Sequence, residues 1–230
     1  MIAFGPDALL EKKIRDPREI ADYLEKYPVI WINVDGLGDA AVIQALGEIF
    51  GIHRLALEDV VNTHQRPKVE QYDKHLFIVG RMVEMGQGIE MDQLSLFLGK
   101  NFVLTFQEVA GDSFDPVRAR IRKAGGRIRN AGPDYLAYAL LDAFIDHYFP
   151  VLEAYGERLE AMEEEVISSP GPPLVSHIHK IRRDLMVLRR AIWPLREAVN
   201  SLVREPRPFI TDDTRIYLRD CYDHTIQIID

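Results

Sequence analysis

Two long stretches in the second half of the chain repeat apolar residues at alternating steps of three and four. They cover residues 138–166 and 178–202, and the segment SSPGPP at residues 168–173 separates them. Such a repeat predicts α-helices with an apolar seam that packs against another helix, as in a coiled coil. At 1.5 Å per residue, each helix would be about 45–50 Å long. We expect Pro150 and Pro194 to kink these helices without ending them.

The two predicted helices carry charges of opposite sign. Residues 153–165 contain six acidic residues and one base, whereas residues 177–204 contain seven bases and two acidic residues. Because charges at the rim of a helix pair select its orientation, an antiparallel hairpin of the two helices is the favoured arrangement. Two separately solvated charged faces would also explain the charges, but not their segregation by sign.

The first part of the chain, to about residue 130, alternates shorter elements. Apolar, β-branched runs predict strands, and the tight turns between the last three runs indicate an antiparallel meander. Capping residues and apolar turns predict helices between the strands. The predicted strands lie at residues 29–34, 74–84, 89–98 and 102–107, and the predicted helices begin near residues 16, 39, 55 and 115.

These patterns predict an α/β fold in two parts. Residues 1–130 would form a mixed, largely antiparallel β-sheet flanked by helices, and residues 134–230 would form the long coiled-coil-like helices. A third helical stretch begins near Thr214 and reaches residue 230 without a glycine, a proline or a basic last turn that would end it. We therefore expect this helix to continue in a longer protein.

The composition excludes some classes of function. The net charge of -8 argues against general nucleic-acid binding, which needs clustered lysine and arginine. The single cysteine, Cys221, cannot form an internal disulfide and fits a reducing compartment. The first residues do not resemble a signal peptide. No window approaches the roughly 20 apolar residues of a membrane helix, so the chain as given is predicted to be soluble.

Acidic side chains occur inside helical runs that are otherwise apolar. Asp142 and Asp146 lie four residues apart within residues 140–149, and Asp220 and His224 have the same spacing near the end of the chain. Each pair would share one helical face. Burying a carboxylate is costly unless a cation meets it, so the identity of that cation bears directly on function.

Two kinds of cation remain open from the residues alone. Internal ion pairs would use an arginine, with Arg15, Arg66 and Arg219 as candidates. A hard metal ion such as Mg²⁺ or Ca²⁺ would instead use scattered carboxylates, and the adjacent pair Glu58 and Asp59 would add to them. Zinc would need more histidine or cysteine.

The sequence predicts no catalytic centre. The segment GLGDAA at residues 36–41 formally fits a dinucleotide-binding turn, but residues 55–61 are predicted to be helical where a second parallel strand is required. A strand-to-helix turn capped by Asp39 is the favoured interpretation. His177 and His179 are two residues apart on a helix, so their rings point in different directions. We therefore expect a protein that is not an enzyme.

Two segments, GIHRLALEDVVN at residues 51–62 and LSLFLGKNFVLTFQE at residues 94–108, are similar to the cytoplasmic domain of CorA-type magnesium transporters. The similarity extends in the same order and spacing over nearly the whole chain. The other matching segments are residues 31–34, 64–70, 114–118, 134–136, 141–148, 192–197 and 217–228.

This resemblance implies the regulatory part of a divalent-cation channel or transporter for Mg²⁺ and also Co²⁺. It implies a homopentamer at the cytoplasmic face of the cell membrane, whose last helix continues into the membrane as a stalk. It also implies regulatory metal sites between subunits. The residues that match the family's metal ligands are Glu58, Asp59, Asp142, Asp220 and His224, with Asp146 beside them.

A regulatory mechanism follows from the resemblance. Mg²⁺, or Co²⁺ in its place, would bridge Asp59 of one subunit and Asp220 of the next, and would hold the pore closed until the ion is lost. Two alternatives remain: a zinc-transporting relative of the same family, and a soluble coiled-coil scaffold in which the carboxylates form only ion pairs.

Overall fold

The computed structural model describes residues 1–86, 88–124, 126–168 and 172–230. Gln87, in one of the predicted tight turns, lies outside the described residues, as do residues 169–171 in the predicted break between the long helices. The strands in the described part are β1 (Ile2–Phe4), β2 (Leu9–Glu11), β3 (Val29–Asp35), β4 (Lys68–Gln71), β5 (His75–Met85), β6 (Ile89–Gly99) and β7 (Phe102–Gln107).

These strands form one sheet with the order β2-β1-β3-β7-β6-β5-β4. Among the described strands, β3 and β7 are the one parallel pair, and the other neighbours are antiparallel. The predicted mixed, largely antiparallel sheet is therefore confirmed. Strands β1, β2 and β4 were not predicted, because three or four residues are too few to show an alternating apolar pattern.

Seven α-helices surround the sheet in the described part of the chain. Helices α1 and α2 pack on one face, and helices α3 to α7 pack on the other. The helices are α1 (Ala40–Phe50), α2 (Arg54–Val61), α3 (Asp115–Arg122), α4 (Pro133–Asp146), α5 (Tyr148–Ser168), α6 (Pro172–Arg204) and α7 (Asp212–Ile229).

The two faces of the sheet have separate apolar cores. Along β5, Leu76 and Ile78 pack with helices α3 to α7, whereas Phe77 and Val79 pack with α1 and α2. This alternation follows from the geometry of a strand, in which successive side chains point to opposite faces. The apolar seams of the long helices therefore pack on one face of the sheet, whereas α2 packs on the other face.

The segment after Asp16 differs from its prediction. It forms a short 3-10 helix, Pro17–Tyr23, where the capping signal predicts an α-helix to about residue 27. Asp16 accepts a hydrogen bond from the backbone N–H of Arg18, so the capping residue is correct. Only Ile20 of the 3-10 helix is buried, and one apolar residue provides too little packing to stabilise further α-helical turns.

The two prolines of the long helices behave differently. Helix α6 is 33 residues long and continues through Pro194, as predicted. At Pro150 the prediction is wrong in part, because the predicted single helix is interrupted at His147 and forms α4 and α5. Pro150 has no N–H to donate to the carbonyl of Asp146, and its ring crowds that carbonyl.

Helices α5 and α6 form the predicted antiparallel hairpin. The hydroxyl of Tyr155, early in α5, donates to Oδ2 of Asp184 at 2.7 Å, while Met162 and Ile181 are buried against the same core. Leu159 and Ile178, which the seams place inside, are 42% and 45% exposed.

A search of the described helices for a membrane-spanning segment found none with the required length and hydropathy.

The turn between β3 and α1 is a capped strand-to-helix turn. Gly36 has a φ of 87°, in the left-handed region that glycine tolerates. Oδ1 of Asp39 accepts from the backbone N–H groups of Ala41 and Val42 at 3.0 and 3.2 Å, so the cap uses the donors that a phosphate would need. Helix α1 leads to α2, and not to a second parallel strand. This supports the interpretation of the turn as structural.

Candidate metal centre

Helix α4 carries Asp142 and Asp146 on one face and packs closely on the sheet through the other. Phe144 is 1% exposed, and its ring lies where a Cβ on Gly80 of β5 would be only 2.7 Å away. Gly80 therefore permits this close approach, since a Cβ there would force the Phe144 ring to shift. The hydroxyl of Tyr148 also donates to the backbone carbonyl of Arg81. The first contact fixes α4 on β5, and the second fixes the start of α5 on the same strand.

Helix α7 is fixed against α4 at its first turn. Asp134 of α4 is buried, and its Oδ2 accepts from the backbone N–H and the hydroxyl of Thr211 at 3.0 and 2.6 Å. The Thr211 hydroxyl in turn caps α7 by accepting from the N–H of Thr214. The buried residues Leu218 and Cys221 then bring His224 next to α4. Two short contacts thus set the register of the two helices.

Asp142, Asp146 and His224 meet where α4 and α7 pack together. One ligand atom from each lies within 4.8 Å of the others. Nδ1 of His224 is 2.8 Å from Oδ1 of Asp146, but the ring nitrogen is not aligned as a hydrogen bond requires. Within the described residues, Nδ1 is therefore a buried nitrogen without a hydrogen-bond partner. Such a nitrogen is unusual unless an ion or water occupies the space in front of it.

The electrostatics of this cluster are unfavourable for carboxylates. Burial raises the pKa of Asp142, and the negative charge of Asp146 raises it further. Asp220 adds to the increase in this pKa, while His224 opposes it. The cluster therefore has an excess of negative charge, which a divalent cation would offset.

Cys221 lies next to the cluster. Its Sγ is 3.8 Å from Oδ1 of Asp142, with the thiol as donor. Burial raises the pKa of the Cys221 thiol well above its ordinary value, and the charges of Asp142, Asp220 and Asp146 raise it further. The thiol therefore stays protonated and acts as a hydrogen-bond donor to Asp142. Sequence reasoning treated Cys221 only as evidence of a reducing compartment.

Asp220 lies one turn before His224 on α7 and is exposed. It is close enough to Asp142 to raise the pKa of that carboxyl, but it is not among the three groups that converge. Within the described part of the chain, the acid that joins Asp142 and His224 in the cluster is therefore Asp146 and not Asp220. The exposed Asp220 carboxylate points away from the core of its own chain.

Glu58 and Asp59 lie on α2, on the opposite face of the sheet. Oδ2 of Asp59 is 2.6 Å from Nζ of Lys68 on β4, and Glu58 is 3.8 Å from Nε of Arg54 one turn earlier. Both acids therefore have a cationic neighbour in this chain, although the neighbours are not Arg15, Arg66 or Arg219. Lys68 follows Asp59 by nine residues across a loop, a separation that carries no sequence signal.

A buried glutamine holds Asp59 in place. Gln93 of β6 is 1% exposed, and its Nε2 donates to the backbone carbonyl of Asp59 at 2.9 Å. Its Oε1 accepts from the backbone N–H of Gln65 at 3.0 Å. These bonds fix the end of α2 and the following loop to the sheet. Sequence reasoning missed this residue because its partners are backbone groups distant in the chain.

The donor chemistry of the α4–α7 cluster fits a divalent cation. Two carboxylate oxygens suit Mg²⁺, which commonly retains several waters and needs only one or two carboxylates. Nδ1 of His224, which has no hydrogen-bond partner within the described residues, adds a nitrogen ligand that suits Co²⁺ better than Mg²⁺. The Glu58–Asp59 pair lacks this character, since each acid already has a cationic partner in the chain.

Comparison with known proteins identifies the family. The sequence model of the CorA-like Mg2+ transporter protein family matches residues 28–230. This chain belongs to the CorA-like Mg²⁺ transporter family. It is 46% identical over 223 residues to the cobalt/magnesium transport protein CorA of Thermotoga maritima. That match covers 96% of this chain and 64% of the relative, so the chain spans less than two thirds of the relative's length.

Solved structures support the same fold. The soluble domain of CorA from Methanocaldococcus jannaschii is similar with a TM-score of 0.81 and 20% identity, covering all of this chain and 89% of that one. The ZntB cytoplasmic domain from Vibrio parahaemolyticus is similar with a TM-score of 0.69 and 10% identity, covering all of this chain and 91% of that one. At these identities the similarity establishes the fold alone.

Proposed function

We propose that this chain is the cytoplasmic regulatory domain of a homopentameric divalent-cation transporter that carries Mg²⁺ and also Co²⁺. The single observation that carries the proposal is the convergence of Asp142, Asp146 and His224 from two helices, with a buried Nδ1 that lacks a hydrogen-bond partner within the described residues. Family membership and the name of the 46% identical relative support the choice of cargo.

The regulatory ion would act on the packing of α7 against α4. Without it, the burial of the Asp142 carboxylate and the negative charge of Asp220 on α7 oppose the close approach of the two helices. A bound divalent cation offsets the negative charge and joins Asp142 and Asp146 of α4 to His224 of α7. The orientation of α7, and of any continuation of it toward a pore, then depends on the cytosolic Mg²⁺ concentration.

Sites between subunits would add to this effect. Asp220 is exposed, and Glu58 is exposed on the opposite face of the sheet, so both are accessible to a neighbouring subunit. Asp59 would exchange Lys68 for a metal ion when Asp220 of the next subunit approaches. Each chain carries a net charge of -8, so closing a ring of such chains without counter-ions is opposed electrostatically. Loss of Mg²⁺ would therefore favour the open arrangement.

The experiment that tests the proposal is a thermal melting titration with Mg²⁺ and Co²⁺. At a concentration ten times Kd, a single site that binds only the folded chain contributes about 1.4 kcal/mol. For a chain of this size we expect the melting temperature to rise by about 3–5 °C. Asp142→Asn should reduce the rise by more than half. The matched control is Asp73→Asn, which changes an exposed aspartate in the turn before β5.

Two results would contradict the proposal. One is the absence of any metal-dependent shift in the unmodified chain, and the other is an equal loss of the shift in Asp142→Asn and Asp73→Asn. Cobalt should be bound more tightly than magnesium at this cluster, because imidazole is a better ligand for Co²⁺. Replacing His224 with alanine should remove this difference while leaving a weaker response to both ions.

One observation favours a second candidate, a zinc-transporting relative. The cluster adds one imidazole to two carboxylates, and this brings the ligand set closer to those of zinc sites than carboxylates alone would. The same titration with Zn²⁺ separates the two candidates. A zinc response at concentrations far below those needed for Mg²⁺, with little response to millimolar Mg²⁺, would favour the zinc function.

A further inference from the structure

A cavity of about 600 Å³ lies at the carboxyl end of β3, far along the sheet from β5 and the α4–α7 cluster. The 3-10 helix, α1 and the end of β2 surround it. Its volume is in the range of small-molecule sites, and the carboxyl ends of strands are a common place for them. The charged side chains that line the cavity are Glu11, Lys12, Lys13, Arg15, Asp35 and Arg118.

The basic side chains of this cavity are of two kinds. Nζ of Lys12 is 2.5 Å from Glu19, and the Arg118 guanidinium is 2.5 Å from Asp112 and stacks over the Trp31 ring at 5.0 Å. These two bases are already satisfied and hold the wall of the cavity in place.

Lys13 and Arg15 are different, because both are exposed at the cavity and neither has an ion pair with any residue that the structure describes. The chain as a whole has a net charge of -8, so a concave surface with two unpaired bases is contrary to the general trend. An anion that enters the cavity would meet the positive charges of Lys13 and Arg15, which no carboxylate of the described residues neutralises. Phosphate groups fit such an arrangement, because guanidinium and ammonium groups both donate strong hydrogen bonds to phosphate oxygens.

The two acids of the cavity do not cancel this charge. Glu11 is bonded to Arg122 at 2.6 Å, and this hydrogen bond lowers the pKa of the Glu11 carboxyl. Asp35 remains, and its Oδ1 accepts from Nδ2 of Asn33 at 2.8 Å, which leaves its other oxygen available. A carboxylate beside phosphate-binding bases is the arrangement that holds hydrated Mg²⁺ on a bound polyphosphate.

We propose that this cavity binds a polyphosphate anion as its magnesium complex. Lys13 and Arg15 contact phosphate oxygens, and Asp35 holds the hydrated Mg²⁺. The polyphosphate is either inorganic triphosphate or the phosphate chain of a nucleoside triphosphate, whose base would contact the apolar residues Ile14 and Val42. The proposal goes beyond the regulatory function and does not depend on it, since the cavity shares no residue with the α4–α7 cluster.

The test is calorimetric titration of inorganic triphosphate, and separately of ATP, into the chain in buffer with excess Mg²⁺. The double variant Lys13→Gln/Arg15→Gln should lose at least tenfold in affinity, because each lost contact is a hydrogen bond between charged groups. The matched control is Arg183→Gln/Arg190→Gln, which removes two exposed bases from α6 and should leave the affinity unchanged. ATP binding tighter than triphosphate identifies the nucleotide, and equal affinities identify the phosphate chain alone.

Three results would overturn the proposal. They are no binding of either anion, an equal loss of affinity in the two double variants, and an effect of Asp35→Asn that is the same with and without Mg²⁺. The second would show that the anions bind by general charge attraction and not in the cavity. Asp142→Asn should bind polyphosphate as the unmodified chain does, so a failure of the regulatory proposal can be distinguished from a failure of this one.

Discussion

The acids of α2 and those of the α4–α7 cluster lie on opposite faces of one sheet and have opposite surroundings. Asp59 has Lys68 at 2.6 Å, and Glu58 has Arg54 at 3.8 Å. Asp142 instead has Asp146 as the largest nearby charge, and its pKa is raised. A match to the family's ligand positions therefore does not show whether a metal site is preformed within one chain. What decides this is whether a cationic side chain of the same chain already pairs with the acids.

This difference suggests an order of metal binding. The α4–α7 cluster is complete within one chain, so it should bind an ion without a neighbouring subunit. On α2, Asp59 is held by Lys68, while Glu58 has only a long, exposed contact with Arg54, so these acids should bind an ion only when a neighbour's carboxylate joins them. Three predictions test this comparison.

The largest effect should come from the packing that holds α4. Phe144→Ala removes a buried ring from the contact with Gly80 and should cost about 3–5 kcal/mol of unfolding free energy. It should also weaken Mg²⁺ binding, because α4 is then less firmly held. Chemical denaturation and metal titration measure the two effects.

The matched control for this prediction is Phe106→Ala, on the α2 face of the sheet. Phe106 is 1% exposed and belongs to the other core. It should cost a similar unfolding free energy but leave Mg²⁺ affinity unchanged. If both variants weakened metal binding equally, the two faces would not be independent.

Acidification should lower the unfolding free energy somewhat less than Phe144→Ala does, through a residue on the α2 face of the sheet. Burial, with a smaller contribution from His53, lowers the pKa of His75 to about 4. His75 is 1% exposed between Tyr72 and Phe97, so its neutral form is favoured in the folded state. Its stabilising contribution is complete above pH 6.5 and is lost as the pH falls toward 4. The loss should be about 2–3 kcal/mol at pH 4.5.

The measurement is the unfolding free energy at pH 7 and pH 4.5 for the unmodified chain and for His75→Phe. The phenylalanine ring keeps the aromatic packing and has no proton to gain. The unmodified chain should lose more stability than the variant on acidification. Parallel losses in the two proteins would show that the acid sensitivity arises elsewhere.

The smallest expected changes in unfolding free energy come from replacing one acid on each face of the sheet, and they should have opposite signs. Without metal, Asp142→Asn should stabilise the chain by about 0.5–1 kcal/mol, because it removes a carboxylate that its surroundings disfavour. Asp59→Asn should destabilise it by a similar amount, since a partly exposed ion pair with Lys68 is lost. Denaturant unfolding in EDTA measures both. Changes of the same sign in the two variants would contradict the contrast between the sites.

Much of the fold could be predicted from the sequence. The meander β5–β6–β7 follows from alternating apolar runs with tight turns, and the α5–α6 hairpin follows from its seams and segregated charges. The interruption at His147 could not be placed, because Pro150 is compatible with either a kink or an end. The parallel pairing of β3 and β7 joins residues about 70 positions apart, and no local pattern encodes it.

The candidate site, like the fold, could be predicted only in part from the sequence. The spacing of four residues placed Asp142 with Asp146 on one helical face, and Asp220 with His224 on another. Which member of the second pair would meet α4 was decided by the register of α7, through Asp134, Thr211 and the buried Cys221. As a result His224 contacts Asp146, while Asp220 remains exposed.

Residue type and local spacing were sufficient to predict the longer strands and helices, most of their apolar faces and the set of acids that could hold a metal ion. The tertiary structure alone decided which acids have a cationic partner. Lys68 reaches Asp59 across a loop, and no cationic side chain of the described residues pairs with Asp142. Electrostatic energy depends on distance in space, and distance along the chain does not fix it.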